Sequence, residues 1–190
     1  MPRYRTTYEI HSKTYIELMN VAWHLLDSAE HAKEGRLLNL QACAVFCAFA
    51  FEAYLNHVGE EEINNWAEIE RFSHTDKLKT LAEHLRFNPN KGQRPFQTIT
   101  SLFKLRDNLA HGRTQKATYV RTTDAPPPRG EAWRQLPWEQ LSFEGVKRCY
   151  DDVNAAINAI NAARKIPDDD VMHQEPRSCQ STRVEPTRRA

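Results

Sequence analysis

The chain has 190 residues, 40% hydrophobic and 27% charged, with a formal net charge of +1. This is the composition of a soluble globular protein with enough chain for one core, and so small a net charge excludes bulk electrostatics as the basis of partner choice. Four cysteines without a Cys-x-x-Cys or zinc-type spacing exclude the common structural zinc sites.

The pattern is helical nearly throughout. Met1-Pro2-Arg3-Tyr4-Arg5 lacks the apolar stretch of a signal peptide. The spacing predicts a first helix from about Ser12 to Lys33, with Ser12 as cap and Tyr15, Leu18, Val21/Ala22 and Leu25/Leu26 as its stripe. Gly35 closes it. A second helix is expected from about Leu37 to Val58, with Gly59 as its stop. Its middle, Ala42 to Phe51, is apolar all round, which marks the central helix of a bundle. That run is too short to cross a bilayer, so no membrane partner is expected and the chain reads as cytoplasmic. Cys43 and Cys47 lie one helical turn apart within it, as reduced core residues.

An acidic, weakly helical stretch follows from Glu60 to Arg71. Ser73 or Thr75 then starts a shorter helix through Leu78, Leu81 and Leu85. Asn88 to Gly92 is a loop, and Pro95 fits the first turn of a helix reaching Ala110, where Gly112 is placed to cap it. From Arg113 to Pro137 the chain reads as one long irregular loop, with a short extended piece at Ala117 to Arg121. A last helix runs from near Ser142 to about Lys165, where Phe143, Val146, Tyr150, Val153, Ile157 and Ile160 alternate steps of three and four. The expected architecture is all-α, a bundle of four to five helices spanning residues 1–165. Residues 166–190, poor in apolar groups, are expected to be a disordered tail.

Charge is uneven along the chain. Between Arg86 and Arg121 there are eight Lys/Arg and one acid, Asp107, whereas Gly59 to Glu70 holds five Glu and no cation. The basic segment suits a polyanion or a solvated surface. Within it, Arg106-Asp107-Asn108-Leu109-Ala110-His111 places an arginine and a histidine at one helix end. Arginine can hold a phosphodiester's charge and histidine can move a proton near neutral pH, without a metal. With 17 Arg and eight His, an Arg-to-His pair at any fixed spacing occurs close to once by chance, so context decides.

Helical phase supplies that context. At 100° per residue, Ile99, Leu102, Phe103, Leu109 and Ala110 define a stripe with Arg106 near its centre. A half-buried arginine needs a partner. Glu52, which interrupts the most apolar helix, is the obvious one, with Asn56 one turn later. His111 lies about 140° from Arg106 on a straight helix, so Gly112 must free it to swing, or two subunits must build the site together. The plainer readings are an ordinary helix-end contact between Asp107 and His111 and a purely structural Glu52–Arg106 pair. His57, His74 and His84 form no metal pattern, and no Gly-rich phosphate loop or nucleophile signature is present.

At these residues the chain resembles the HEPN superfamily of small helical-bundle proteins, whose signature is Arg, four to six residues, then His, with a polar residue just after the arginine. Phe51-Glu52-Ala53-Tyr54-Leu55-Asn56 is similar to the central helix of such proteins, where an acid often lies near the motif. The resemblance covers roughly Tyr15 to Ile160 as a layout and is specific at those two segments. It implies a metal-independent, cofactor-free endoribonuclease working as a homodimer with facing motifs, acting on RNA as a toxin or defence effector, often beside an antitoxin protein. Arg106 and His111 would be catalytic, with Asn108 and Asp107 assisting and Glu52 and Asn56 in support. Other members have lost catalysis and bind a protein partner or nucleotide, which is the competing expectation. The chain departs from the family in its 113–137 loop and in lacking an extended basic domain.

Overall fold

The computed structural model describes residues 3–10, 12–112, 120, 122, 124, 141–166 and 176–184. Among them are five longer helices and one single-turn helix: α1 (Thr14–His31), α2 (Arg36–Glu62), α3 (Trp66–Ile69), α4 (His74–His84), α5 (Phe96–Ala110) and α6 (Phe143–Arg164). The chain is thus an all-α bundle, as expected. The anticipated loop at 113–137 lies outside the described residues apart from Val120, Thr122 and Asp124.

α2 is the axis of the bundle, packing against α1, α4, α5 and α6. Its buried residues include Leu40, Cys43, Ala44, Cys47, Ala48, Phe51, Tyr54, Leu55 and Val58. By length and composition alone it is long and apolar enough to cross a membrane, with a window of mean hydropathy 1.5, so the expectation that its apolar run is too short does not extend to the whole helix. α1 turns Tyr15, Ile16, Met19, Ala22, Leu26 and Ala29 inward at steps of one, three and four. Small buried residues on α1 (Ala22, Ala29) and α2 (Ala44, Ala48) let the two backbones approach closely. From α6, Val146, Val153, Ala156, Ile157 and Ile160 complete the core.

Two starts are set by serine caps. Ser73 Oγ accepts from the Asp76 N–H at 3.2 Å, and Ser142 Oγ accepts from the Gly145 N–H at 3.0 Å, each satisfying a first-turn donor. Other ends differ from expectation. α1 begins after Lys13 without a side-chain cap. Gly35 sits at the start of α2 with φ +71°, a conformation that favours glycine. Gly59 does not stop α2, which runs three residues further. A Cβ at Gly59 would collide with the indole of Trp66, so this glycine is a seat for that ring rather than a cap.

The expected tail also needs correction. Pro176–Val184 is a strand, β2, paired antiparallel with β1 (Arg3–Ile10), with Arg3 opposite Val184 and a register shift between Glu9 and Ile10. Thr, Tyr and Ile give β1 the intrinsic strand preference. The polar composition of β2 hid it, because a backbone ladder needs no apolar run. Residues 167–175 and 185–190 lie outside the described set.

Three thiols meet at the α2–α6 seam, where Cys43 and Cys47 are fully buried and Cys149 partly so. The thiol–thiol hydrogen bond with Cys43, then burial, pushes the Cys47 thiol up, and burial pushes Cys149 to about 11.

An ionic knot joins the ends of α2 and α6. Arg164, 5% exposed, donates from Nε to Glu62 Oε1 at 2.8 Å and from Nη2 to Glu61 Oε2 at 2.7 Å. Beside it the Tyr54 hydroxyl donates to Asn161 Oδ1 at 2.7 Å. On the opposite flank Asp152 accepts two bonds from Arg94, at 2.7 and 2.8 Å. Burial opposes the Asp152 charge, but this bidentate partner outweighs it and holds the carboxyl below its usual range.

Gly59→Ala should force Trp66 out of its seat, lowering stability by about 2 kcal/mol. The melting temperature followed by circular dichroism should drop by roughly 5 °C. An unchanged melting temperature would show that the indole moves aside freely.

Candidate functional site

The site forms where α2, α4 and α5 converge. Glu52 interrupts the apolar surface of α2, and two cations answer it. Arg106 Nη2 of α5 donates to Glu52 Oε2 at 2.7 Å, and Lys77 Nζ of α4 donates to Oε1 at 3.1 Å. Lys77 is 3% exposed and Arg106 20%. Both Glu52 oxygens are therefore committed, and neither cation is left in the bundle without its counter-charge.

Arg106 has two further partners. Its Nη1 lies 2.9 Å from Asp107 Oδ1, on a side chain that is half-exposed. Its guanidinium carbon stands 5.2 Å from the centre of the Phe103 ring and 6.0 Å from that of Phe49, within cation–π range. Nε is buried and has no hydrogen-bond partner among the described residues, as is Oδ1 of Asn56 one turn beyond Glu52. The guanidinium is thus clamped by Glu52 at Nη2, leaned against two rings, and paired at Nη1 with the half-exposed Asp107.

The sequence expectation of a Glu52–Arg106 pair matches the geometry. The expectation that His111 swings to the arginine does not. His111 is the C-cap residue of α5, its backbone N–H bonded to the Asp107 carbonyl at 2.9 Å, and it is exposed. Among the described residues its side chain makes no hydrogen bond or ion pair. Asn108 is exposed as well. The cause is helical phase, since α5 stays regular through Ala110 and never turns its end back toward Arg106.

A different histidine is near. His74, first residue of α4, stacks on Phe103 with ring centres 3.6 Å apart and planes 8° from parallel. It is half-buried, and burial holds its pKa below 6.5. Arg106 and Lys91 push the same way, and the carboxylates of Glu52 and Asp107 oppose them. Its Nε2 lies 3.2 Å from Thr75 Oγ1. The sequence carried a signal for both α4 residues. His74, Lys77, Leu78 and Leu81 fall at steps of three, four and seven, on the inward face of the helix. Metal-ligand spacing among the histidines does not reveal this face; helical phase does.

The net charge of the cluster, two cations against two carboxylates, is balanced as it stands. A phosphate oxygen could replace Asp107 at Nη1 without disturbing Glu52. Among the described residues no three His, Cys, Asp or Glu side chains are grouped to hold a metal ion. Compared with family models, curated proteins and solved structures, the chain matches none.

Two predictions follow the electrostatics. Glu52→Ala strands a buried Lys77 ammonium and should cost about 3 kcal/mol or more. Arg106→Ala leaves the Lys77–Glu52 bond intact and should cost less. Denaturant midpoints of the two variants give the comparison, and equal losses would contradict it. Separately, His57 and His74 both have lowered folded-state pKa values, burial being the first cause for each. As pH falls through 6.5 the unfolded chain takes up these protons before the folded one, so stability present at neutral pH is lost on acidification. The melting temperature should decline from pH 7 to pH 5.5, and His74→Gln should reduce that decline.

Proposed function

We propose that the chain is a metal-independent endoribonuclease of HEPN type, cutting single-stranded RNA through attack of a ribose 2′-OH on the adjacent phosphate. The observation that carries this reading is the Arg106 guanidinium, pre-set by Glu52 and held at Nη1 only by the half-exposed Asp107 carboxylate. A phosphate that takes the place of the Asp107 carboxylate gains charge-assisted bonds from a donor whose orientation is already fixed. As the pentavalent phosphorane forms, its non-bridging oxygens gain charge, and one such contact is worth about 3 kcal/mol.

The other motif residues take the exposed rim. His111 serves as general acid or base at the end of α5, Asn108 orients the phosphate, and Asp107, once displaced, orients the histidine ring. The products are a 2′,3′-cyclic phosphate and a 5′-hydroxyl. A homodimer fits this reading, because Leu38 and Phe49, both exposed, lie on the same side of α2 as Glu52. A toxin or defence role, with an antitoxin protein as partner, is part of the same proposal.

A second reading is favoured by the exposed position of His111 at the end of α5, out of phase with Arg106. In it the chain is a non-catalytic dimeric module that binds a protein partner or a nucleotide through the same surface. It predicts binding without turnover.

The deciding experiment is cleavage of an end-labelled single-stranded RNA in excess chelator. Wild type should release cyclic-phosphate ends, and Arg106→Ala should be slower by about 100-fold or more. Equal rates for wild type, Arg106→Ala and His111→Ala would refute the assignment.

A further inference from the structure

Among the described residues, His74 is the one histidine the structure brings to the arginine, and the motif does not include it. We propose that His74 is a proton-transferring residue of the Arg106 site, so that a single chain presents the phosphate-holding guanidinium and a base together. This rests on the ribonuclease reading and goes beyond it by placing the base on α4.

Position comes first. The ring of Phe103, 1% exposed, is a fixed wall. The His74 imidazole lies flat on it at 3.6 Å, and the Arg106 guanidinium carbon is 5.2 Å from the same ring centre. Both groups are thereby fixed against one rigid element. The Ser73 cap sets the start of α4, and Lys77, three residues on, ties the same face of the helix to Glu52. Neither His74 nor Arg106 can shift without breaking a bond to that carboxylate or leaving the Phe103 ring.

The protonation state comes next. The charged groups facing His74 are Glu52 from α2, Arg106 and Asp107 from α5, and Lys91 from the α4–α5 connection. On its own helix Asp76 and Lys77 are engaged with Ser73 and Glu52. Burial outweighs the carboxylates, and the positive end of α4 also disfavours a cation at its first residue. The imidazole is therefore neutral at neutral pH, as a base must be. In the tautomer that donates Nε2–H to Thr75 Oγ1, Nδ1 holds the free lone pair.

The 2′-OH proton passes to Nδ1 as the O2′–P bond forms. The P–O5′ bond breaks, and O5′ leaves with the electron pair and takes a proton from His111 or solvent. His74 then returns its proton to solvent.

The test measures the cleavage rate of single-stranded RNA against pH for wild type, His74→Gln and His74→Phe. The phenyl ring preserves the stack on Phe103, so a folded His74→Phe protein separates chemistry from packing. Wild type should show an acidic limb with a midpoint below 6.5. Both variants should lose about 100-fold in rate together with that limb. Wild-type rates and an unchanged limb in a folded His74→Phe protein would overturn the assignment while leaving the ribonuclease reading intact. Absence of any cleavage by wild type would overturn both. Loss of rate with the limb retained would mark His74 as a packing residue and also overturn the proposal.

Discussion

One carboxylate governs the middle of this molecule. Glu52 is an acid in the most apolar helix of the chain, and such a group persists only if its charge is answered. Two cations answer it from two other helices, one at each oxygen. The consequence is geometric as much as energetic. α4 and α5 are keyed to α2 at a point where hydrophobic packing alone, being non-directional, would tolerate sliding. Arg106 owes its fixed orientation to that key, and Lys77 brings with it the face of α4 that carries His74.

The far end of the bundle repeats the device with the signs exchanged. There a nearly buried arginine, Arg164, is answered by two glutamates from α2. The central helix thus supplies acids at both knots, and its neighbours supply cations. Between the knots the core is aliphatic and aromatic, with Phe51 against Phe103 edge to face. Burial raises the phenols of Tyr15, to about 12, and of Tyr54, keeping both as neutral hydroxyls.

Much of the bundle was legible in the sequence. The helices follow from three- and four-residue apolar spacing, and of the two starts the sequence offers for α4, Ser73 and Thr75, the cap is Ser73. The Glu52–Arg106 pair followed from phase, because both charges fell on packing faces. What escaped had physical reasons. Gly59 matches the glycine that ends many helices, but here its missing side chain makes room for Trp66, a ring that returns from seven residues ahead. β2 escaped because its polar residues resemble tail composition. His111 was given too much freedom, as a glycine after a helix permits a swing without causing one. Lys77 and His74 were missed although their phase was as telling as that of Arg106. A positive charge on an inward face is a structural demand wherever it occurs, and the same test applied to α4 finds both.

The thiols at the α2–α6 seam have a consequence for how motion in this protein can be seen. Alkylating reagents attack thiolate; burial closes the approach to Cys43 and Cys47, and at Cys47 the anion is disfavoured as well. While the helices stay together these two sulfurs are shielded. Modification at Cys43 or Cys47 therefore records a moment when α6 has lifted from α2. The two cysteines amount to a built-in clock for breathing of the bundle, read without adding a label to any residue of the Glu52 cluster.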